Sequence, residues 1–432
     1  MPTTTRVTTL DEIAINGEKY RLSGGVTVSK TSWPLKQITG DYNEDTQPNV
    51  SVHTWNDQRG GIGVDRWKGP EDDDRAWFSA CWLRNQSHLV LPPLDSLVVG
   101  TSPGYLFMRY NNRAYYVRND GNHTIVSYDG TTVFISSTLT AAALTAASGW
   151  IEGVEYGVWG QAARYAYSVS GGSITERAVP ASGVAFYDNR LWGIDQTTGN
   201  LWYTFTPGSA EVNAAKLPTS ATVEGLFPAL GPTGEPILYA FSNYQLWAFD
   251  EGNARFLPLD IPLGQMLTAT NSRSCRGYAW QGRIYIASGS SVIEYDPLAQ
   301  TARIISPDTG DGLPTDRNYE IHDMTGTQYE LLLTTKALDS GSFPMILAWD
   351  RKGWQVLYAD TATGELGGIV WYGASTTTSR IHFSRSNGIR SIPYDPNMRF
   401  PKQITGWAYA SSAIHKYPWF DAGQNNITKT LL

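Results

Sequence analysis

The chain has 432 residues, a formal net charge of −7 and two cysteines, with 12% aromatic and only 17% charged residues. Scattered basic residues under a net negative charge exclude a reader of phosphate backbones, and 16 Trp, 24 Tyr and 42 Gly exclude a disordered chain. No run of about 18 apolar residues occurs, and the opening Met1-Pro2-Thr3-Thr4-Thr5 has neither a basic start nor an apolar core. The expectation is a soluble protein made without a Sec-type signal and not inserted in a membrane.

Taken in order, residues 1–40 read as an N-terminal arm. Glu12 to Leu22 alternates around Asn16-Gly17, the pair that a type I′ hairpin favours. Residues 41–94 bring Trp55, Gly60-Gly61-Ile62-Gly63, the acidic run Glu71-Asp72-Asp73-Asp74, Trp77-Phe78, Trp82 and Leu91-Pro92-Pro93-Leu94. The glycine cluster lacks the Gly-Lys-Ser/Thr ending of a phosphate loop, so close backbone packing or a bulge is the better reading. The acidic run matches no calcium loop and reads as a solvated turn. This order of Trp, Gly-Gly-x-Gly, aromatic and Leu-Pro-Pro resembles the opening of β-propeller structural proteins from the tails of tailed bacteriophages.

From residue 95 a repeat takes over. Phe186-Tyr187-Asp188-Asn189-Arg190-Leu191-Trp192, Phe241 to Trp247 and Ala279 to Tyr285 each place an aromatic, a polar turn, Arg or Gln, an aliphatic and another aromatic. Asn and Gly tolerate the positive φ of a tight turn, and the flanking residues suit a half-buried strand. A second mark is an apolar strand ending in aromatic-Asp: Tyr128-Asp129, Phe249-Asp250, Tyr295-Asp296, Trp349-Asp350 and Tyr394-Asp395. The spacings are 46 (250 to 296), 54 (296 to 350) and 45 (350 to 395). Such a period, with several strands per unit, predicts propeller blades, since one four-stranded sheet buries its faces only against neighbours.

Units are expected near 95–138, 149–180, 182–218, 222–263, 272–306, 317–360 and 364–400. Prolines fall mostly between them, and 3.6-residue apolar periodicity is absent. Residues 138–148, rich in Ala and Thr, are read as one short helix or a linker. The fold expectation is therefore all-β: a β-propeller over 41–400 of about seven blades, within a range of six to eight, with the N-terminal hairpin and a C-terminal β extension over 401–432. In that extension Trp407, then Trp419-Phe420-Asp421-Ala422-Gly423 and Lys429, resemble the exit from the repeats in the same phage proteins. There another β element or a partner surface follows, and Trp407, Trp419, Phe420 and Asp421 become candidate partner-binding residues. Alternatively this segment returns to complete the blade begun near the N-terminus and so covers an exposed edge.

Signs of chemistry are sparse. The six histidines are isolated, without metal-ligand spacing, and read as surface residues of turns or strands; Cys81 and Cys275 read as buried thiols. The aromatic-Asp carboxylates read as Asx-turn caps rather than glycosidase acids. Pro307-Asp308-Thr309-Gly310-Asp311-Gly312 reads mostly as a turn, with Asp308 and Asp311 as candidate cation ligands. No catalytic residue and no cofactor is assigned. The resemblance implies a non-enzymatic virion protein of the tail, made in the host cytoplasm. Its partners would be other virion proteins, a host surface glycan and further copies in a ring, with no nucleic acid. A glycan-binding lectin and a carbohydrate-active propeller enzyme are the alternatives. The lectin requires exposed aromatics repeated at one blade position, and the enzyme a carboxylate pair across the channel.

Overall fold

The computed structural model describes residues 12–15, 18–21, 61–62, 75–76, 78–82, 90–100 and 102–416, the last except 131, 219–222, 243–244, 262–276, 289–290, 306–318, 339–342, 361–364, 374–378 and 399. Seven antiparallel sheets of at least four strands account for most of these residues, and no α-helix occurs among them. The innermost strands of blades 1 to 7 are Gly104–Tyr110, Ala143–Ile151, Gly183–Tyr187, Val223–Leu230, Gly277–Trp280, Tyr319–Gly326 and Leu366–Tyr372. They pack side by side in chain order, and the strand of blade 7 meets that of blade 1. The chain is thus a closed seven-bladed propeller.

Local chemistry makes the hairpins. Between first and second strands, Asn111-Asn112, Glu152-Gly153, Asp188-Asn189 and Gln281-Gly282 all have positive φ. That is the two-residue turn whose twist matches right-twisted strands. In the arm, Glu12–Ile15 pairs antiparallel with Glu18–Arg21, with Ile15 opposite Glu18; Asn16 and Gly17 lie outside the described residues.

Three boundaries differ from the sequence expectation. Ser96–Gly100 is not the opening strand of blade 1; it pairs antiparallel with Gly388–Pro393 and is the fourth strand of blade 7. The ring is therefore closed by an N-terminal strand, not by the C-terminal segment. The C-terminal segment instead turns back onto the N-terminal one, where His415–Lys416 pairs with Phe78–Ser79. Residues 143–151 are the inner strand of blade 2 rather than a helix or linker, because their ladder with Val154–Gln161 holds this Ala-rich stretch extended. Beyond its own four strands, blade 6 carries Gly61–Ile62 and Arg75–Ala76 as two short parallel strands. At Gly61, φ is +73° and a Cβ would fall 1.9 Å from the carbonyl oxygen of Trp354, so only glycine permits this approach.

The core lies between blades rather than within them, and aromatics dominate it. Trp82, Trp159, Trp192, Trp354, Tyr116, Tyr239 and Tyr285 are among its fully buried side chains. On the inner strands an aromatic repeatedly occupies the space beside a neighbouring blade's glycine. A Cβ on Gly149 would lie 2.4 Å from Phe186, on Gly277 2.5 Å from Phe227, on Gly326 2.5 Å from Trp280, and on Gly368 2.4 Å from Phe107. Each pair sets how closely two blades approach at the channel, where the wedge is narrowest.

Candidate functional site

Because successive strands reverse direction, the turns joining first to second and third to fourth strands all emerge on one face of the ring. Asp129, Asp250, Asp296 and Asp350 organise the outer set of these turns, and Asp395 caps the turn by which the chain leaves the third strand of blade 7. Asp129 accepts a hydrogen bond from the Thr132 amide at 2.8 Å, and Asp250 from the Asn253 amide at 3.3 Å. Asp296 accepts from the Leu298 and Ala299 amides at 3.1 and 3.2 Å, and Asp350 from those of Lys352 and Gly353 at 3.0 Å. Asp395 accepts from the Asn397 amide at 2.8 Å. Each carboxylate caps its own turn, as the sequence expectation held.

Inner and outer turns of successive blades are tied to one another. The Gly171 amide of blade 2 donates to the hydroxyl of Tyr110 in blade 1 at 2.6 Å. Arg190 of blade 3 pairs with Glu251 of blade 4 at 3.1 Å, and the Arg351 guanidinium of blade 6 lies 5.6 Å from the Trp280 ring centroid of blade 5. The Tyr394 hydroxyl of blade 7 bonds to Glu330 of blade 6, and Tyr372 of blade 7 donates to the Asp129 carbonyl of blade 1 at 3.1 Å. These contacts tie the turns together at five of the seven blade boundaries.

Large apolar side chains stand on that face. Trp150 is 62% exposed, Phe205 57%, Leu298 56% and Tyr329 49%. Phe205 is held upright. It packs edge-on against Tyr203 at 5.5 Å, with the Arg190 guanidinium over both rings at 5.3 and 4.8 Å. Trp150, Phe205 and Tyr329 occupy three different positions within their blades, so they do not repeat one recess around the ring.

The channel wall offers one titratable group of note. Asp323 sits at a register shift in the inner strand of blade 6. It accepts the Met324 amide at 2.8 Å and, across the blade boundary, the Ile369 amide at 2.9 Å. The residue as a whole keeps some exposed surface, but protein encloses its carboxyl group, and that burial pushes its pKa up to about 7 against the pull of the two amides. A carboxyl whose folded value is raised stabilises the fold in full below its unfolded value of 3.8 and loses that contribution as pH rises through about 7. The urea midpoint is expected to fall between pH 4 and pH 7 through this group. Asp323→Asn should flatten that slope, and an unchanged slope would refute the assignment.

Of the residues singled out from sequence, Trp407 is half-buried. Its ring meets Trp82 edge-on at 4.7 Å and Tyr409 at 6.0 Å, fastening the C-terminal segment to the N-terminal one. Trp419, Phe420 and Asp421, and the cation candidates Asp308 and Asp311, lie outside the described residues, as does Cys275; Cys81 is a buried thiol. Among the described residues no group of three His, Cys, Asp and Glu side chains is placed to hold a metal ion. No helix among them is long and apolar enough to cross a membrane. The histidines correct the sequence expectation at one position: His382 is a fully buried strand residue, not a surface one. Its strand is covered on both faces, so alternation could not reveal it.

Fold and face define a seven-bladed β-propeller with exposed apolar side chains among the turns of one face. No protein-family model matches the sequence, and no curated protein is significantly similar to it. Among solved structures it is similar to the extracellular domain of BT4673 from B. thetaiotaomicron, described as a hybrid two component system. The TM-score is 0.51 at 13% identity, over 70% of this chain and 40% of that one. YCF48 bound to D1 peptide aligns at a TM-score of 0.47 and 13% identity, over 71% of this chain and 97% of that one. At such identities the likeness to BT4673 concerns the propeller fold alone.

Proposed function

We propose that this protein is a non-enzymatic structural component of a phage particle, associated with its tail, and that it docks another virion protein on its turn-side face. The observation that carries the docking is the set of exposed apolar side chains Trp150, Phe205, Leu298 and Tyr329 on one face, whose turns are tied between neighbouring blades. Turns tied in this way lose little conformational freedom on association, and aromatic side chains supply most of the binding energy at such surfaces. The likeness of residues 40–95 and 405–432 to phage tail propellers supports the choice of partner. Copies arranged in a ring would multiply a modest contact into stable attachment, to the particle on one side and to a host glycan on the other.

Immunogold electron microscopy of the virus-particle fraction from the source culture tests this reading. Gold at a fixed tail position is the expected result, and unlabelled, permeable particles would refute it. The double variant Trp150→Ser, Phe205→Ser should melt within about 1 kcal/mol of the parent, because both side chains are already in solvent. It should also drop out of purified particles at least tenfold, as measured by quantitative blotting. Normal incorporation would remove these side chains from the interface.

A further inference from the structure

Blade 7 is assembled from two distant parts of the chain, and its contact with blade 1 closes the ring. His382 lies in that contact with no exposed surface, in the strand Arg380–Arg385, between Val370 and Ser391 on the flanking strands. The Tyr128 ring of blade 1 stands edge-on to it at 5.1 Å, and Tyr372 of its own blade at 6.4 Å. Neither ring nitrogen has a hydrogen-bond partner.

The polar groups around it are already committed or lack negative charge. The Tyr128 hydroxyl donates to the Gly130 carbonyl and that of Tyr372 to the Asp129 carbonyl. Tyr116, further along the same face of blade 1, is buried and neutral. Ser391 accepts from the Arg380 guanidinium at 2.8 Å, and that guanidinium also reaches Ser96 on the closing strand at 2.7 Å. Arg390 and Arg385 are paired with Asp95 and Asp360. No carboxylate faces the imidazole, and the charge that it does feel is a cation two residues away on its own strand. An imidazolium here would be desolvated, unpartnered and repelled.

We propose that the contact between blades 7 and 1 is an acid-sensitive latch with His382 as its trigger: a proton taken up by the imidazole separates blade 7, with its N-terminal strand, from blade 1 while blades 3 to 5 stay folded. Burial, reinforced by Arg380, lowers the imidazole pKa to about 3, whereas an exposed imidazole in the opened seam titrates near its ordinary 6.5. A depressed histidine destabilises the closed form as pH falls below the open-state value, progressively down to about 3. Between pH 7 and pH 4 those two values raise the opening equilibrium about 200-fold.

Hydrogen exchange resolved by peptide, corrected for the intrinsic pH dependence of exchange, tests the latch. From pH 7 to pH 4, protection of residues 96–100 and 388–393 should fall about 200-fold, with blades 3 to 5 retaining theirs. In His382→Gln, and in His382→Phe should the polar variant fold poorly, that selective fall should vanish. A fall of equal size in both variants would overturn the proposal, as would loss of protection spread evenly over all seven blades or none at all.

Discussion

A chain beginning at Ser102 is expected to lose its cooperative thermal transition and to self-associate. It would lack Ser96–Gly100, leaving Gly388–Pro393 as an open, apolar-flanked edge that another copy can pair with. It would also lack Asp95, the partner of Arg390 at 3.1 Å and of Arg385 at 3.9 Å, and Trp82, which is wholly buried in the cluster beneath blades 6 and 7. Truncating a buried Trp costs about 3–5 kcal/mol, and a domain's whole stability is about 5–15 kcal/mol. With a strand ladder and an ion-pair cluster lost as well, little stability remains. Melting followed by circular dichroism with light scattering checks this, and a monomer with one sharp transition would show that the strand is dispensable. The point variant Asp95→Ala probes the same seam more gently and should cost about 2 kcal/mol in urea.

Gly149→Leu is expected to be the most damaging single substitution on the inner strands, costing about 3 kcal/mol. The new Cβ would lie within 2.9 Å of three atoms of Phe186, one of which is that residue's own Cβ, so a change of ring rotamer does not relieve the clash. The backbones of blades 2 and 3 must separate instead. Phe186→Gly on the same background removes the obstructing Cβ with the ring, and the double variant should recover at least half of the loss, a coupling that a denaturation double-mutant cycle measures. A silent single substitution, or strictly additive losses, would show that the glycine–aromatic contact does not set blade spacing.

What the sequence made legible is what short segments decide. The Asx-turn role of Asp129, Asp250, Asp296, Asp350 and Asp395 needs only the carboxylate and the next few amides, and all five adopt it. Turns such as Asp188-Asn189 are equally local. Partner choice over long range was not legible. Ser96–Gly100 reads as a natural first strand for the unit it precedes, and only the unpaired edge of Gly388–Pro393, nearly 300 residues later, draws it away. The Ala-rich stretch at 143–151 has helix-forming composition, but it is held extended by the ladder with Val154–Gln161. As for the candidate site, the exposed Trp150 and Phe205 could not be told from the many core aromatics, because exposure depends on neighbours in other blades. Trp407 could be noticed by type, but its packing against Trp82 joins segments over 300 residues apart in the sequence.

Closing the ring with Ser96–Gly100 also sets a clock on biosynthesis. The hydroxyl of Ser96 meets the carbonyl of Ser391, 295 residues downstream. At a translation rate of about 5–20 residues per second, the early strand waits roughly 15 to 60 s for its partner to leave the ribosome. Blades 1 to 6 can stack in order during that interval, each on the one before, while two unsatisfied surfaces, the free strand and the flank of blade 1, stay exposed. Such a delay favours holdase chaperones and rapid synthesis, and makes exchange of the first strand between neighbouring nascent chains the natural misfolding route when many copies are made at once.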